Sequence, residues 1–230
     1  SSGIASGKAT MTIKWPSRTR LIPIASNSIL LDVTVNGLSV TSQIIARPVS
    51  DTTSTITVNN LPAGNLIFTA SAFPSTDGTG VAQAKASIPV QIVSGGITPF
   101  SITMNSTIAR LEVSPNPVSV VQGQTVDVTV TARNAAGDAV LISGSSLTIN
   151  SNNTGIASVF SGRVTTKLTG LQLGSTTLFV SESESSTTIN VPVNVAKGTV
   201  PSYSSKSIIN GTGNQVYAKG LNDNGDVLAM

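Results

Sequence analysis

The chain of 230 residues contains neither cysteine nor histidine. Without cysteine it has no disulfide framework, no thiol nucleophile and no thiolate metal site. Without histidine it also lacks a Ser-His-Asp triad, an HExxH zinc motif and any imidazole ligand for a transition metal. Paired carboxylates and Ser-Lys nucleophiles stay chemically open, but the 10 acidic residues are scattered. We therefore predict that the chain is not an enzyme, with no catalytic residue, no metal and no cofactor.

Aromatic and charged residues are also scarce, at 3% and 10% of the chain. Serine and threonine instead make up roughly a quarter of it, and valine and threonine often alternate. Alternation of β-branched with small polar residues favours strands that bury one face, whereas strong helix formers are few. The composition predicts an all-β protein whose solvent face carries hydroxyl and amide groups.

The net charge of +3 is spread thinly along the chain. Lys14, Arg18 and Arg20 form the densest basic group, which is too small to neutralise several phosphates, and we predict no nucleic-acid partner. No stretch reaches 18 apolar residues, so no membrane-spanning segment is predicted. The chain starts at Ser1 without a leader pattern, and we expect a mature or excised piece of a longer chain with other modules.

Residues 8–106 have the pattern of one β-sandwich with seven or eight strands. Turn residues recur at intervals of about 8 to 12 positions, as in sandwich domains. Asn36-Gly37 is the strongest hairpin signal, because both central positions of a type I′ turn need positive φ. The predicted strands span 9–15, 21–24, 28–35, 38–46, 53–58, 66–73, 81–93 and 98–104.

Residues 107–196 have the pattern of a second sandwich. A short strand at 111–114 is stopped by Pro115 and Pro117, and a Gly123-Gln124 turn leads into an alternating strand at 125–132. This opening, with the later segments 152–159, 162–170 and 173–180, resembles the bacterial Ig-like group 2 (BIG2) module. The resemblance implies an Ig-like sandwich with a late hairpin that joins 162–170 to 173–180, used as a spacer or adhesive element.

The first sandwich resembles bacterial Ig-like surface domains in general, through Leu61-Pro-Ala-Gly64 and the strand after it. The tail, 197–230, is predicted to hold a linker and a hairpin around 210–213. Its segment 221–228 resembles one copy of the HAF-type extracellular repeat. Asn222–Asp226 has the oxygen-rich composition of a calcium loop, and the same residues suit a hairpin turn.

Other side chains are candidates for binding or covalent chemistry. Trp15, Tyr203 and Tyr217 are the large amphipathic aromatic residues, and Trp15 alternates with Met11 and Ile13 as a core residue would. Glu182 and Glu184 are expected on one solvated strand face, where like charges discourage edge pairing. A strand-to-strand crosslink would need a buried lysine beside an asparagine and an acid, and the candidates are Lys14, Lys85 and Lys167. The turn at 75–80 carries the single carboxylate of Asp77.

The sequence therefore predicts two tandem immunoglobulin-like sandwiches and a short β-hairpin tail. The expected function is that of a structural or adhesive module pair, which acts as a semi-rigid stalk in a bacterial exported or cell-surface protein. The alternative is a pair of accessory domains in a larger secreted enzyme or adhesin. Those domains would bind a glycan or a protein ligand at the cell surface through loops at one end of a sandwich.

Truncation after Ala196 tests the independence of the tail. The 34 residues after Ala196, with one hairpin, cannot offset ordering costs of about 1–2 kcal/mol per residue by themselves. We expect both sandwiches to stay folded without them, with a melting temperature shifted by a few degrees at most in calorimetry. Unfolding of the second sandwich in the truncated chain would show that the tail supplies an integral strand.

Overall fold

The computed structural model describes residues 5–14, 26–49, 53–142, 145–161 and 166–198, and the backbone of 218–221 and 227–229. These residues form strands and turns only, which confirms the all-β class. The strands are β1 (Ser6–Lys14), β2 (Ser28–Val35), β3 (Leu38–Ala46), β4 (Thr53–Pro62), β5 (Gly64–Phe73), β6 (Ala84–Ile92), β7 (Ile97–Phe100), β8 (Asn105–Ser106), β9 (Arg110–Ser114), β10 (Val118–Val121), β11 (Thr125–Arg133), β12 (Ala139–Val140), β13 (Leu147–Ser151), β14 (Ala157–Ser161), β15 (Thr166–Gly170), β16 (Gly174–Glu182), β17 (Thr187–Ala196), β18 (Ala218–Leu221) and β19 (Val227–Ala229).

The first sandwich consists of β1 to β8 in two sheets. One sheet has the order β4-β1-β7 and the other the order β3-β2-β5-β6-β8. Alternate residues of both sheets point into one core, such as Met11 and Val58 from the first sheet and Leu31 from the second. The Phe68 side chain is fully buried there, and its ring centroid lies 4.5 Å from that of Phe100.

The second sandwich consists of β9 to β17. One sheet has the order β10-β17-β16-β13, and the other has the order β12-β11-β15-β14 with β9 also paired to β11. Strands β9, β11, β15 and β14 thus correspond to ABED, and β13, β16 and β17 to CFG, which is the immunoglobulin arrangement. The core between the sheets is almost entirely aliphatic, with Leu168, Leu178 and Val191 fully buried.

Residues 1–197 form one compact unit, which includes both hydrophobic cores, and residues 198–230 form another. The bounds 8–106, 107–196 and 197–230 remain predictions. In the tail, β18 pairs with β19 as an antiparallel hairpin. The hairpin predicted around 210–213 lies outside the described residues.

The turn at Asn36-Gly37 has the geometry that the sequence predicts. These two residues join β2 to β3 with φ of 49° and 79°, and Val35 pairs with Leu38 across the turn. Positive φ at both positions is the type I′ geometry, so the predicted hairpin is confirmed.

Two predicted elements of the sequence analysis are wrong because sheet partners are not local. The strand predicted at 98–104 ends at Phe100, because β7 pairs with β1 only over Ile97–Phe100. Residues 101–104 form no strand, with Met104 buried, and β8, which pairs with β6 in the other sheet, begins only at Asn105. The late hairpin predicted between 162–170 and 173–180 does not exist, because β15 and β16 belong to opposite sheets. The chain crosses from one face of the sandwich to the other at this point.

The expectation that Glu182 and Glu184 share a solvated edge face is also wrong. Glu182 is the last residue of β16, an inner strand of its sheet, and it is only 1% exposed. Its carboxylate accepts hydrogen bonds from the Glu184 N–H at 3.0 Å, the Ser185 N–H at 2.7 Å and the Ser185 hydroxyl at 2.6 Å. Glu184 lies in the turn itself. The buried carboxylate thus holds the turn from β16 to β17 by binding its donors.

Burial acts to raise the pKa of Glu182, and this is the largest single effect on it. The hydrogen bonds from the Ser185 hydroxyl, the Glu184 and Ser185 N–H groups and Ser146 together outweigh burial and lower this pKa below the ordinary value of 4.5. A carboxyl group with a lowered folded pKa stabilises the fold above its unfolded pKa. That contribution is lost as the pH falls through the folded pKa.

We expect Glu182→Gln to lower the free energy of unfolding of the second sandwich by about 1–3 kcal/mol at pH 7, because an amide nitrogen then faces N–H and O–H donors. The difference from the parent chain should shrink in acid, below the ordinary pKa of 4.5. Urea unfolding at several pH values measures both effects. Asp127→Asn is the control, since it removes an exposed ion pair to Lys167 and should cost within about 1 kcal/mol. An equal loss of unfolding free energy in both variants would contradict the stabilising role of the Glu182 carboxylate in the turn.

Candidate functional site: the junction between the sandwiches

The connection between the sandwiches is short and is itself part of a sheet. Met104, 5% exposed, belongs to the first core, and Ile108, 9% exposed, belongs to the second. Between them, Asn105 and Ser106 form β8, which pairs with Lys85 and Ala84 of β6. A connection paired in this way cannot act as a flexible linker, because its backbone is fixed to the first sandwich.

Gln83, which precedes β6, is the central residue of the junction and is fully buried. Its side-chain Oε1 accepts a hydrogen bond from the Leu141 N–H of the second sandwich at 3.0 Å, and its Nε2 donates to the Val81 carbonyl at 2.7 Å. Its backbone N–H donates to the Ala72 carbonyl at 2.7 Å, and its carbonyl accepts from the Thr107 N–H at 2.9 Å. Gln83 is therefore bonded to both sandwiches through its side-chain amide and its backbone N–H, and to the connection between them through its backbone carbonyl.

The neighbours of Gln83 strengthen the same contact. The Thr107 hydroxyl donates to the Ala82 carbonyl at 2.5 Å. The half-buried side chain of Val81 packs against the core of the second sandwich although it lies in the chain of the first. The hydrogen bonds of Gln83 and Thr107 fix how the two sandwiches are oriented where they meet, because hydrogen bonds are directional. The Val81 side chain adds buried apolar surface to the same contact.

The turn at 75–80 lies at this end of the first sandwich and is a turn, as predicted. Asp77 accepts hydrogen bonds from the Ser75 hydroxyl, from the Thr79 hydroxyl at 2.7 Å and from the Thr79 N–H at 3.1 Å. The bond from the Ser75 hydroxyl, followed by those from Thr79, lowers the pKa of Asp77 below its ordinary value. The Gly78 N–H donates to the buried Ser28 hydroxyl at 3.1 Å, which ties the turn to β2.

A cleft of about 360 Å³ lies at the opposite end of the first sandwich. The Lys8 and Asn60 side chains supply its charged and amide groups. Ser6, Gly7, Gly95, Gly96 and Ile97 complete its lining.

Two of the three crosslink candidates, Lys85 and Lys167, do not meet the requirement for burial. Lys85 is exposed, and the Lys167 side chain is 52% exposed with its Nζ 2.7 Å from Asp127 Oδ1. Several other predicted residues lie outside the described side chains: Lys14, Trp15, Arg18, Arg20, Tyr203, Tyr217 and Asn222–Asp226.

Within the described ranges, no three acidic side chains come together as a group that could hold a metal ion. The same residues include no helix with the length and apolar character needed to cross a membrane.

No protein-family model matches this sequence, and neither does any curated protein. The BIG2 and HAF resemblances therefore remain predictions. Among solved structures, the chain is similar to domains 4 and 5 of the S-layer protein SbsC, with 20% identity over 60% of this chain and 68% of that one and a TM-score of 0.34. It is also similar to domains 4–9 of SbsC, with 17% identity, 90% and 30% coverage and a TM-score of 0.38.

An ectodomain fragment of ICAM-5 (D1–D4) shows 14% identity over 84% of this chain and 50% of that one, with a TM-score of 0.24. At these values the similarities do not identify a family.

The sequence around Gln83 contains no pattern that predicts the junction. Gln83 stands between alanines in a segment, 81–93, that was predicted to be one strand, whereas β6 begins only at Ala84. A polar residue before a strand is ordinary in sequence. Its importance follows from contacts to Thr107 and Leu141, which are distant along the chain.

Gln83→Leu should loosen the junction while leaving both cores folded. The leucine cannot accept from the Leu141 N–H or donate to the Val81 carbonyl, and each lost bond contributes about 1 kcal/mol. We expect severalfold faster hydrogen exchange at the amides of Leu141 and Thr107. Gln91→Leu makes the same chemical change at an exposed position of β6 and should leave these rates unchanged. Unchanged exchange in both variants would rule out the role of Gln83.

Proposed function

We propose that the chain is a non-catalytic structural module pair of a bacterial exported or cell-surface protein, in which two sandwiches form a semi-rigid stalk. The observation that carries this proposal is the junction, where buried Gln83 bonds to Leu141 and Thr107. A paired connection with a satisfied buried amide restricts relative motion of the sandwiches, and restricted motion is what a spacer needs.

Hydroxyl pairs on the outer faces of the sheets support a role as a spacer in contact with water. Neutral hydroxyl groups face each other across neighbouring strands: Thr10 and Thr57 Oγ1 are 3.3 Å apart, and Thr125 and Thr169 Oγ1 are 2.8 Å apart. Cross-strand pairs of this kind stabilise a sheet and leave its outer face polar. The absence of histidine and cysteine from the sequence agrees with a role that requires no catalysis.

A distance measurement between the two sandwiches tests the stalk. Thr55→Cys on β4 and Asn190→Cys on β17 place spin labels on exposed positions of a chain that has no other cysteine. Pulsed electron paramagnetic resonance should give one narrow distance distribution, and Gln83→Leu should broaden it. The Gln91→Leu variant should keep it narrow. A broad distribution in the parent chain would contradict a semi-rigid stalk.

The second candidate function is binding of a glycan or protein ligand, and the cleft at Lys8 and Asn60 favours it. Its lysine and amide side chains offer donors and an acceptor to sugar hydroxyl groups, although it has no aromatic platform. A glycan array probed with the parent chain and with Lys8→Ala separates the two functions. Binding that Lys8→Ala abolishes would favour the accessory-domain function, whereas absence of binding from both favours the stalk.

A further inference from the structure

One side of the first sandwich is formed by two long edge strands. β3 is the edge of one sheet, β4 is the edge of the other, and the two strands lie next to each other. They have nine and ten residues, whereas the remaining edge strands in the described part of the chain have two to five. An edge strand presents unpaired backbone N–H and carbonyl groups on its outer side. We call β3 and β4 together the open edge.

The open edge lacks the features that usually prevent a sheet edge from pairing with another chain, namely charged side chains, proline and short length. Neither strand contains a charged residue, and their one proline, Pro62, is the last residue of β4. A bulge at Val40 lies near the start of β3 and leaves Thr41–Ala46 in regular pairing with β2. Ile44, within that regular stretch, is 53% exposed.

Backbone groups of β3 point out of the sheet edge at alternate residues. The Arg47 N–H donates to the Asn27 carbonyl at 2.7 Å, and this bond continues the pairing of β3 with β2. Since neighbouring residues of a strand direct their N–H and carbonyl groups to opposite sides, those of Ser42, Ile44 and Ala46 face away from β2. No hydrogen bond between described residues reaches these groups. They can therefore bond to an added antiparallel strand without a change in the fold.

A second copy of this chain is the partner that fits both strands of the open edge. A single extended peptide could pair with only one of the two strands, whereas another sandwich presents two edges at once. A two-fold axis perpendicular to the sheets would place β3 antiparallel to β3 of the copy and β4 antiparallel to β4 of the copy. Two-fold symmetry also brings each side chain near its own equivalent, so a charge on these strands would repel itself. Neither strand carries such a charge.

We propose that the open edge is an interface at which two copies of this chain associate side by side, with β3 of each copy paired antiparallel to β3 of the other. Both sheets of the first sandwich then continue across the interface. Ile44 lies on the outer face of the joined sheet, where cross-strand neighbours cover part of its exposed side chain. The inference goes beyond the proposed stalk, because it adds a lateral contact between chains and does not depend on the rigidity of the junction.

Sedimentation equilibrium of the full chain and of a proline variant tests this interface. We expect the parent chain to form dimers at roughly 10–100 μM, because pairing along strand edges gives a small interface of the weak class. Ser42→Pro removes one outward N–H of β3, and an edge strand tolerates proline where the N–H faces solvent. The dissociation constant of the dimer should rise about tenfold or more, since the proline ring also keeps the facing strand at a distance.

Ser151→Pro is the matched control. Ser151 belongs to β13, an edge strand of the second sandwich. The bond from the Asn152 N–H to the Thr177 carbonyl continues the pairing of β13 with β16, so the Ser151 N–H faces away from β16. The variant makes the same chemical change at an edge outside the interface and should keep the dissociation constant of the parent chain. Circular dichroism and melting curves identify any variant that loses its fold.

A charge variant tests the same edge and keeps every backbone donor. Ile44→Lys brings equal charges near each other across the two-fold axis, so we expect weaker dimers at low salt and recovery as added salt screens the repulsion. Ile67→Lys is its control, because it adds the same charge at a 40% exposed position of β5, an inner strand of the same sheet. The dimer of the control variant should match that of the parent chain.

A parent chain that stays monomeric at about 1 mM would overturn the interface. Dimers that Ser42→Pro and Ile44→Lys leave intact, or that the control variants weaken equally, would overturn it as well. The result is separable from the test of the stalk, because dilution of the spin-labelled chain with unlabelled parent chain leaves only distances within one copy. Monomers with a narrow distance distribution would reject the interface and retain the stalk, whereas dimers with a broad distribution would do the reverse.

Discussion

The side-chain amide of Gln83 is the interaction on which the relation between the two sandwiches depends. A buried amide is costly unless its donor and acceptor are both bonded, and here the partners come from Val81 and from Leu141 of the other sandwich. Because the same residue also bonds to Thr107 through its backbone, one position ties together a loop, the connection and the second sandwich. Separation of the sandwiches would leave the Gln83 Oε1 atom and the Leu141 N–H group without each other as partners.

The core of the second sandwich is aliphatic, and turns contribute to its stability through polar groups. In the second sandwich, Leu178 and Val191 meet without any large aromatic residue between them. The buried carboxylate of Glu182 then orders the turn between the strands that carry these residues. On the opposite sheet, Glu112 contacts Arg110 and Arg133, and the hydrogen bond from Arg133 is the main cause of its lowered pKa. Charge is scarce in this chain, and the carboxylates of Asp77 and Glu182 are used to fix turns.

Sequence reasoning found the strands whose evidence is local. Alternation and the Asn36-Gly37 turn define β2 and β3 at their observed residues, since period 2 and positive φ are properties of the segment itself. The end of the predicted strand 98–104 at Phe100 could not be found in this way, because it depends on partners some 90 residues away in β1.

The same limit applies to buried polar residues. In the sequence, Glu182 looks like a residue of a solvated strand. Its burial is favourable only because the turn brings the Ser185 hydroxyl within hydrogen-bond distance of its carboxylate. Gln83 likewise acquires its role from Leu141, which follows it by 58 positions. The fold class could be predicted from composition and pattern, whereas the candidate site could not, because it is made of long-range hydrogen bonds.

The spacing from Met104 to Ile108 has a consequence for how such modules can vary. Both side chains are anchored in different cores, and β8 uses the residues between them for pairing with β6. In an extended segment successive side chains point to opposite sides, so adding or removing one residue would turn Ile108 away from its core. The number of residues in this connection therefore determines how one sandwich is rotated relative to the other. This segment can therefore vary in composition but not in length.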